Sequence, residues 1–149
     1  MNFIGKTSAV KSPQGKIEGA DGKTFMEVVP HGDLVANTPY KVIMGRYGLT
    51  TAALADDATT FFVGVPEAAV DASEVDTCLV QIGGPIDALV TPSLSVTAGH
   101  SLTINTGVVA DGGAAPSGLA EEFAVCTATS TTSTTQAAYL FPYRITATT

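Results

Sequence analysis

Tryptophan is missing from this chain, cysteine occurs only at Cys78 and Cys126, and charged side chains make up just 14% of 149 residues. Each scarcity closes off a class. Two cysteines set in apolar, β-prone runs, with no CxxC spacing and no histidine nearby in sequence, suggest neither a disulfide framework nor a zinc site. They read as buried free thiols. Seven Lys/Arg stand against fourteen Asp/Glu, a formal charge of −7, and without a clustered basic face a chain cannot displace counterions from nucleic acid. No stretch approaches the roughly 18 apolar residues of a membrane span, and no apolar run follows a basic start. The expectation is a protein made and used without secretion or membrane insertion, with no nucleic-acid partner.

What remains is apolar and uncharged. Hydrophobic residues reach 45%, while the charged share falls well below the usual 25% or so. The surface must therefore be built largely of Thr, Ser, Ala and Gly, with some apolar area left for a partner to cover. The length suits one domain, which at this size buries roughly 68–70% of its unfolded surface. Charge is also unevenly placed. Residues 1–46 hold six of the seven Lys/Arg and four acids, whereas residues 47–149 hold Arg144 and ten acids.

Residues 1–24 have Gly, Lys, Ser and Pro spread through them without a sustained period, and read as an extended, flexible arm. Beyond it, short β-prone runs alternate with turn residues: 25–29, 40–44, 60–65, 78–82, 86–90, 102–104, 122–128 and 138–145. That pattern predicts an all-β fold, a small barrel or a two-sheet sandwich. Only 66–73 and 117–122 suggest helix. Ser130–Thr135, a run of hydroxyl residues, reads as an exposed hairpin tip. Sliding the sequence by sixty positions brings Glu27-Val28-Val29 onto Asp87-Ala88-Leu89, Val42-Ile43-Met44 onto Leu102-Thr103-Ile104, and, with slips of one residue, Phe62-Val63 onto Phe123-Ala124. A single β domain over 25–149 is thus expected to hold two similar halves, 25–84 and 85–145, each too small to bury its own face alone.

Chemistry-bearing patterns are weak. Gly5-Lys6-Thr7 and Gly22-Lys23-Thr24 imitate the end of a phosphate loop but lack the glycine required five positions earlier. His31 and His100 have no fixed carboxylate or serine partner in sequence. Asp56-Asp57 and the acids from Asp71 to Asp76 form no EF-hand-like ladder. No nucleophile elbow, HExxH pair or dinucleotide fingerprint occurs. The expectation is no enzyme, with no catalytic residues, no metal and no cofactor. Tyr40, Tyr47, Tyr139 and Tyr143 with Phe141 serve either core packing or a ligand platform.

Val96-Thr97-Ala98-Gly99-His100-Ser101-Leu102, then Gly107-Val108-Val109-Ala110-Asp111-Gly112-Gly113, then Phe123-Ala124-Val125 resembles the pattern of bacteriophage capsid decoration (cement, head-stabilising) proteins. An earlier echo runs through Thr38-Pro39-Tyr40-Lys41-Val42, Gly48-Leu49 and Phe62-Val63-Gly64-Val65. The resemblance implies a non-enzymatic virion protein on the outer capsid surface. It would bind the major capsid protein as a homotrimer and bridge capsomers against internal pressure. The cationic arm is then the expected capsid contact, with Lys6, Lys11, Lys16 and Lys23 meeting acidic capsid surface as the arm adds to an exposed strand edge. Another virion β module, such as a tail tube or head fibre base, and a carbohydrate- or receptor-binding module stand as alternatives.

Overall fold

The computed structural model describes residues 10–11, 16–19, 21–54, 62–115 and 122–141. These form eleven strands: β1 (Val10–Lys11), β2 (Lys16–Glu18), β3 (Thr24–Val28), β4 (Tyr40–Gly45), β5 (Gly48–Ala52), β6 (Phe62–Gly64), β7 (Cys78–Val96), β8 (His100–Asn105), β9 (Val108–Ala114), β10 (Glu122–Cys126) and β11 (Ser130–Leu140). The fold is all-β. One sheet runs β1-β2-β3-β7-β11-β10-β8-β9, the other β5-β4-β6, and every ladder is antiparallel. Among the described residues neither sheet closes on itself, so of the two expected forms this is the two-sheet one. Single bridges tie the sheets together at Val29 to Thr50 and at Val65 to Gln81.

Strand order repeats along the chain. A tight hairpin (β4–β5) is followed by a strand that pairs with its first member (β6), and then by a return strand; β8–β9, β10 and β11 do the same sixty residues later. Both hairpins close on two-residue turns, at Gly45 opposite Gly48 and at Asn105 opposite Val108. The second has Thr106 and Gly107 both at positive φ, 51° and 78°, the geometry that matches strand twist. Positions sixty apart fill like places in the core: Met26 and Ile86, Val42 and Leu102, Val80 and Leu140 are all buried.

Each half has its own apolar centre. Met26, Val28, Leu34, Val42, Val80 and Ile82 form the first, where β3 and β7 face the small sheet. Leu89, Leu102, Ile104, Phe123 and Leu140 anchor the second, which the far part of the large sheet curls around, with Val63 and Val65 entering from β6. A fully buried side chain of this kind contributes roughly 1.5–3 kcal/mol relative to exposure. The alternation in β8 sends Leu102 and Ile104 inward as expected. Ser101 and Thr103 on its other face are buried too, donating to the carbonyls of Gly113 and Ala110 on β9.

The halves share β7. Up to Gly83 it pairs with β3; from Gly84 to Val96 it pairs with β11. Gly84 sits at φ +94°, and a Cβ there would fall 2.5 Å from the Gly22 carbonyl oxygen, so only glycine fits. Across this step the buried Gln81 side chain donates from Nε2 to the carbonyls of Gly83 (3.0 Å) and Pro85 (2.9 Å). Gly83-Gly84-Pro85 therefore redirects one continuous strand where the sequence reads as two strands and a turn.

Other expectations are revised. Residues 66–73 form no helix, because Val70 exchanges two backbone hydrogen bonds with Leu34 and Asp33 accepts from the Ala72 amide. Of 117–122, only Glu122 is described, and it opens β10. Ser130–Thr135 lies within β11 and is no tip: Ser133 Oγ donates to the Thr135 carbonyl, Thr132 N donates to Ser95 Oγ, and Ser130 bonds to Gln136. The hydroxyls satisfy an irregular ladder. Of the leader, 10–11 and 16–18 are strands continuing the large sheet outward from β3, and the rest of 1–15 lies outside the described residues.

Both thiols are free. Burial raises the Cys78 thiol above its ordinary value; burial, followed by the nearby negative charge of Asp111, pushes Cys126 up to about 11. Raised thiol values leave little thiolate at pH 8. Labelling with an aromatic disulfide reagent at that pH should therefore be slow in the native protein, slowest at Cys126, and fast at both sites in denaturant. A second expectation concerns β7. In urea unfolding, Gly99→Ala (φ +86°, open space around it) should lose only about 1–2 kcal/mol of stability, the cost of backbone strain. Gly84→Ala should lose clearly more, since it adds a backbone clash to the same strain; equal losses would contradict the close approach.

Candidate interaction surface

The β4–β5 turn places Arg46 and Tyr47 at the end of the small sheet. The Arg46 guanidinium lies 5.2 Å from the Tyr47 ring centroid, within cation–π range. Tyr47 is 81% exposed and Met44 64%. Gly45 and Gly48 flank the turn, and a Cβ at Gly45 would collide with Thr50, so the glycine keeps the hairpin end narrow. Beside the tip is an open cleft of about 400 Å³ walled by Pro30, His31, Ile43 and Thr50. Tyrosine, arginine and methionine are all among the side chains enriched at protein contact surfaces.

A second cleft, about 380 Å³, lies on the seam between the halves. Val90, Thr91, Pro92 and Val108 wall one side, Tyr40 and Leu54 the other. The seam is held by real contacts: Val90 N donates to the Asn37 carbonyl at 2.8 Å, Leu54 packs on the second core, and a Cβ on Gly107 would approach the Leu54 carbonyl oxygen to 3.1 Å. Thr91 Oγ1 is buried here without a hydrogen-bond partner.

Among the described residues that line the two clefts there is no leader lysine. Lys6 lies outside the described residues; Lys11 is in β1 and Lys16 in β2. Lys23 is engaged within the chain, 2.8 Å from Glu67 and 3.6 Å from Asp21. Its hydrogen bond to Glu67, opposed by burial and helped by the charges of Glu67 and Asp21, raises its ammonium above the ordinary value. The described tyrosines do not make one platform. Tyr40 and Tyr47 stand at opposite ends of β4, about 20 Å apart at 3.3 Å per residue, and the Tyr40 hydroxyl accepts from the Val35 amide. Tyr139 belongs to β11 in the other sheet, half-exposed, and Tyr143 lies outside the described residues.

Of the titratable candidates, His100 Nδ1 sits 3.0 Å from Asp111, whose carboxylate also accepts from the Gly113 amide. This ties β8 to β9. His31 is exposed at the edge of the tip cleft, its amide donating to Thr51 Oγ1. Asp71 accepts from the Ser73 hydroxyl and amide, which lowers its carboxyl; it terminates a loop. Asp56-Asp57 falls outside the described residues. Among the described residues no group of three or more His, Cys, Asp and Glu is placed to hold a metal ion. Sequence reasoning named Tyr47 but not Arg46 or Met44. The available signal was a β-prone run, 40–44, ending at two glycines, Gly45 and Gly48, separated by two residues, a hairpin spacing.

No family model matches the sequence, and no curated protein matches it. A solved structure, the head fibre gp8.5 N base in bacteriophage phi29, is similar to this chain at 12% identity and a TM-score of 0.49, over 82% of this chain and 97% of that one.

Proposed function

We propose that this chain is a structural component of a tailed-phage virion, a decoration protein that binds the outer capsid surface as a homotrimer and bridges neighbouring capsomers. The observation that carries the reading is the exposed Met44–Tyr47 tip: apolar and aromatic contact chemistry held on a rigid two-residue hairpin. Rigid anchors lose little side-chain freedom on docking, so their contacts are retained as affinity. The head-decoration pattern over Val96–Val125 supplies the identity of the acceptor.

The leader adds a second contact. Among the described strands β1 is one of the two outermost in the large sheet, and an outermost strand can offer a backbone edge to another chain. Lys6, Lys11 and Lys16 supply charge for an acidic capsid face; Lys23, already paired with Glu67, contributes less. Three such leaders on one trimer would engage three sites, each weak alone and strong together.

Two measurements test this. Fractionating virions into heads and tails should recover the protein with heads at a fixed number of copies per capsid subunit; recovery with tails alone, or only in the soluble fraction, removes the reading. Cosedimentation with expanded heads should weaken for a Lys6→Ala, Lys11→Ala, Lys16→Ala variant and with rising salt, as screening requires. Binding indifferent to both would remove the leader's part and leave the tip's.

A further inference from the structure

On the reading above, the tip and the leader meet the capsid, so a trimer must close on another surface. Apart from the tip, the large apolar side chains that stand exposed among the described residues are Val35, Val75, Val90, Val108 and Tyr139. Three of these belong to the seam between the halves. Val90 and Val108 line its cleft. Val35 is joined to it: its amide donates to the hydroxyl of Tyr40, and its carbonyl accepts from the Thr38 amide, both residues of the cleft wall. Single exposed valines are ordinary, whereas valines grouped about an open cleft mark a contact surface.

Charge decides what can cover it. The described residues that line the seam cleft include no Asp, Glu, Lys or Arg. A charged acceptor would lose its water there without gaining a counter-charge, which leaves out the acidic capsid face that the leader's lysines suit. Two copies of a chain with a formal charge of −7 repel each other, and they approach most readily where no carboxylates face. Val75 fails that condition, lying between the exposed Glu74 and Asp76. The seam patch meets it: apolar and uncharged, it suits a copy of itself.

We propose that the seam cleft, with Val35, Val90 and Val108, is the self-contact of this chain, covered by the same patch of a second copy. In a two-fold pair such patches face each other, and in a ring of three they converge on the axis. The number of copies rests on the trimer reading; the place of the contact rests on exposure and charge. Pro39, Tyr40 and Leu54 come from the first half, Val90, Pro92 and Val108 from the second. A copy seated across the cleft therefore holds both halves, and the bond from the Val90 amide to the Asn37 carbonyl opens less often once copies associate.

Sedimentation velocity of the full-length protein over a range of concentrations tests the contact. Val108→Glu, at an exposed position beside a hairpin turn, sets carboxylates against one another and should weaken association about tenfold or more. Val75→Glu, the same change at an exposed valine away from the cleft, should associate as the parent does. Added salt should strengthen association by screening like charges, the reverse of its effect on the leader's hold on heads. Hydrogen exchange at the Val90 amide should slow as concentration rises, while the Val70 amide, bonded to Leu34, should not change. Val108→Glu associating like the parent, equal weakening by both substitutions, or Val90 exchange indifferent to concentration in a parent that associates would overturn the contact and leave the trimer standing. A parent that is monomeric at every concentration and salt, free and on heads, would overturn the trimer and the contact with it. Dimers sensitive to Val108→Glu would overturn the number three and support the contact.

Discussion

The hydrogen bonds from Gln81 to Gly83 and Pro85 hold the step on which both halves depend. A strand with a positive-φ glycine in its middle loses ladder continuity, and here two carbonyls at that step accept from one buried amide. Because the step is braced from inside, β7 changes neighbours without ending. Its first part closes the core around Val42 and Val80, its second the core around Leu102 and Leu140. Gly22, whose carbonyl lies close against Gly84, ties the turn before β3 to the same point.

Pairing order follows the same sequence twice on either side of this step. β4–β5, β6 and the start of β7 are followed by β8–β9, β10 and β11 with like pairings, and Met26, Val42 and Val80 are buried as Ile86, Leu102 and Leu140 are. The two hairpin ends differ in what they present: Arg46 and Tyr47 form one two-residue turn, Thr106 and Gly107 the other.

Much of the fold was legible in the sequence. Runs such as Tyr40–Met44 and Leu102–Ile104 announce strands through β-branched and alternating side chains, and the sixty-residue offset pointed to paired halves. β5 and β9 escaped because Gly-Leu-Thr-Thr-Ala and Val-Val-Ala-Asp-Gly-Gly-Ala are formed by hairpin register more than by their own propensity. β7 was divided in two because Gly-Gly-Pro is turn chemistry everywhere except where a buried glutamine redirects it. Residues 66–73 looked helical from composition, but the pairing of Leu34 with Val70 is a long-range fact. The clefts were illegible because each joins separate segments, 29–31 with 43–50 in one and 38–54 with 90–109 in the other; His31, Tyr40 and Tyr47 stood out in advance, but not their neighbours.

The shared strand also bears on how such a molecule can change over generations. Most tandem duplicates are separable, so recombination can drop, swap or multiply a unit and still leave something that folds. Here β7 walls both cores, so a recombination break between Cys78 and Val96 would leave neither core closed.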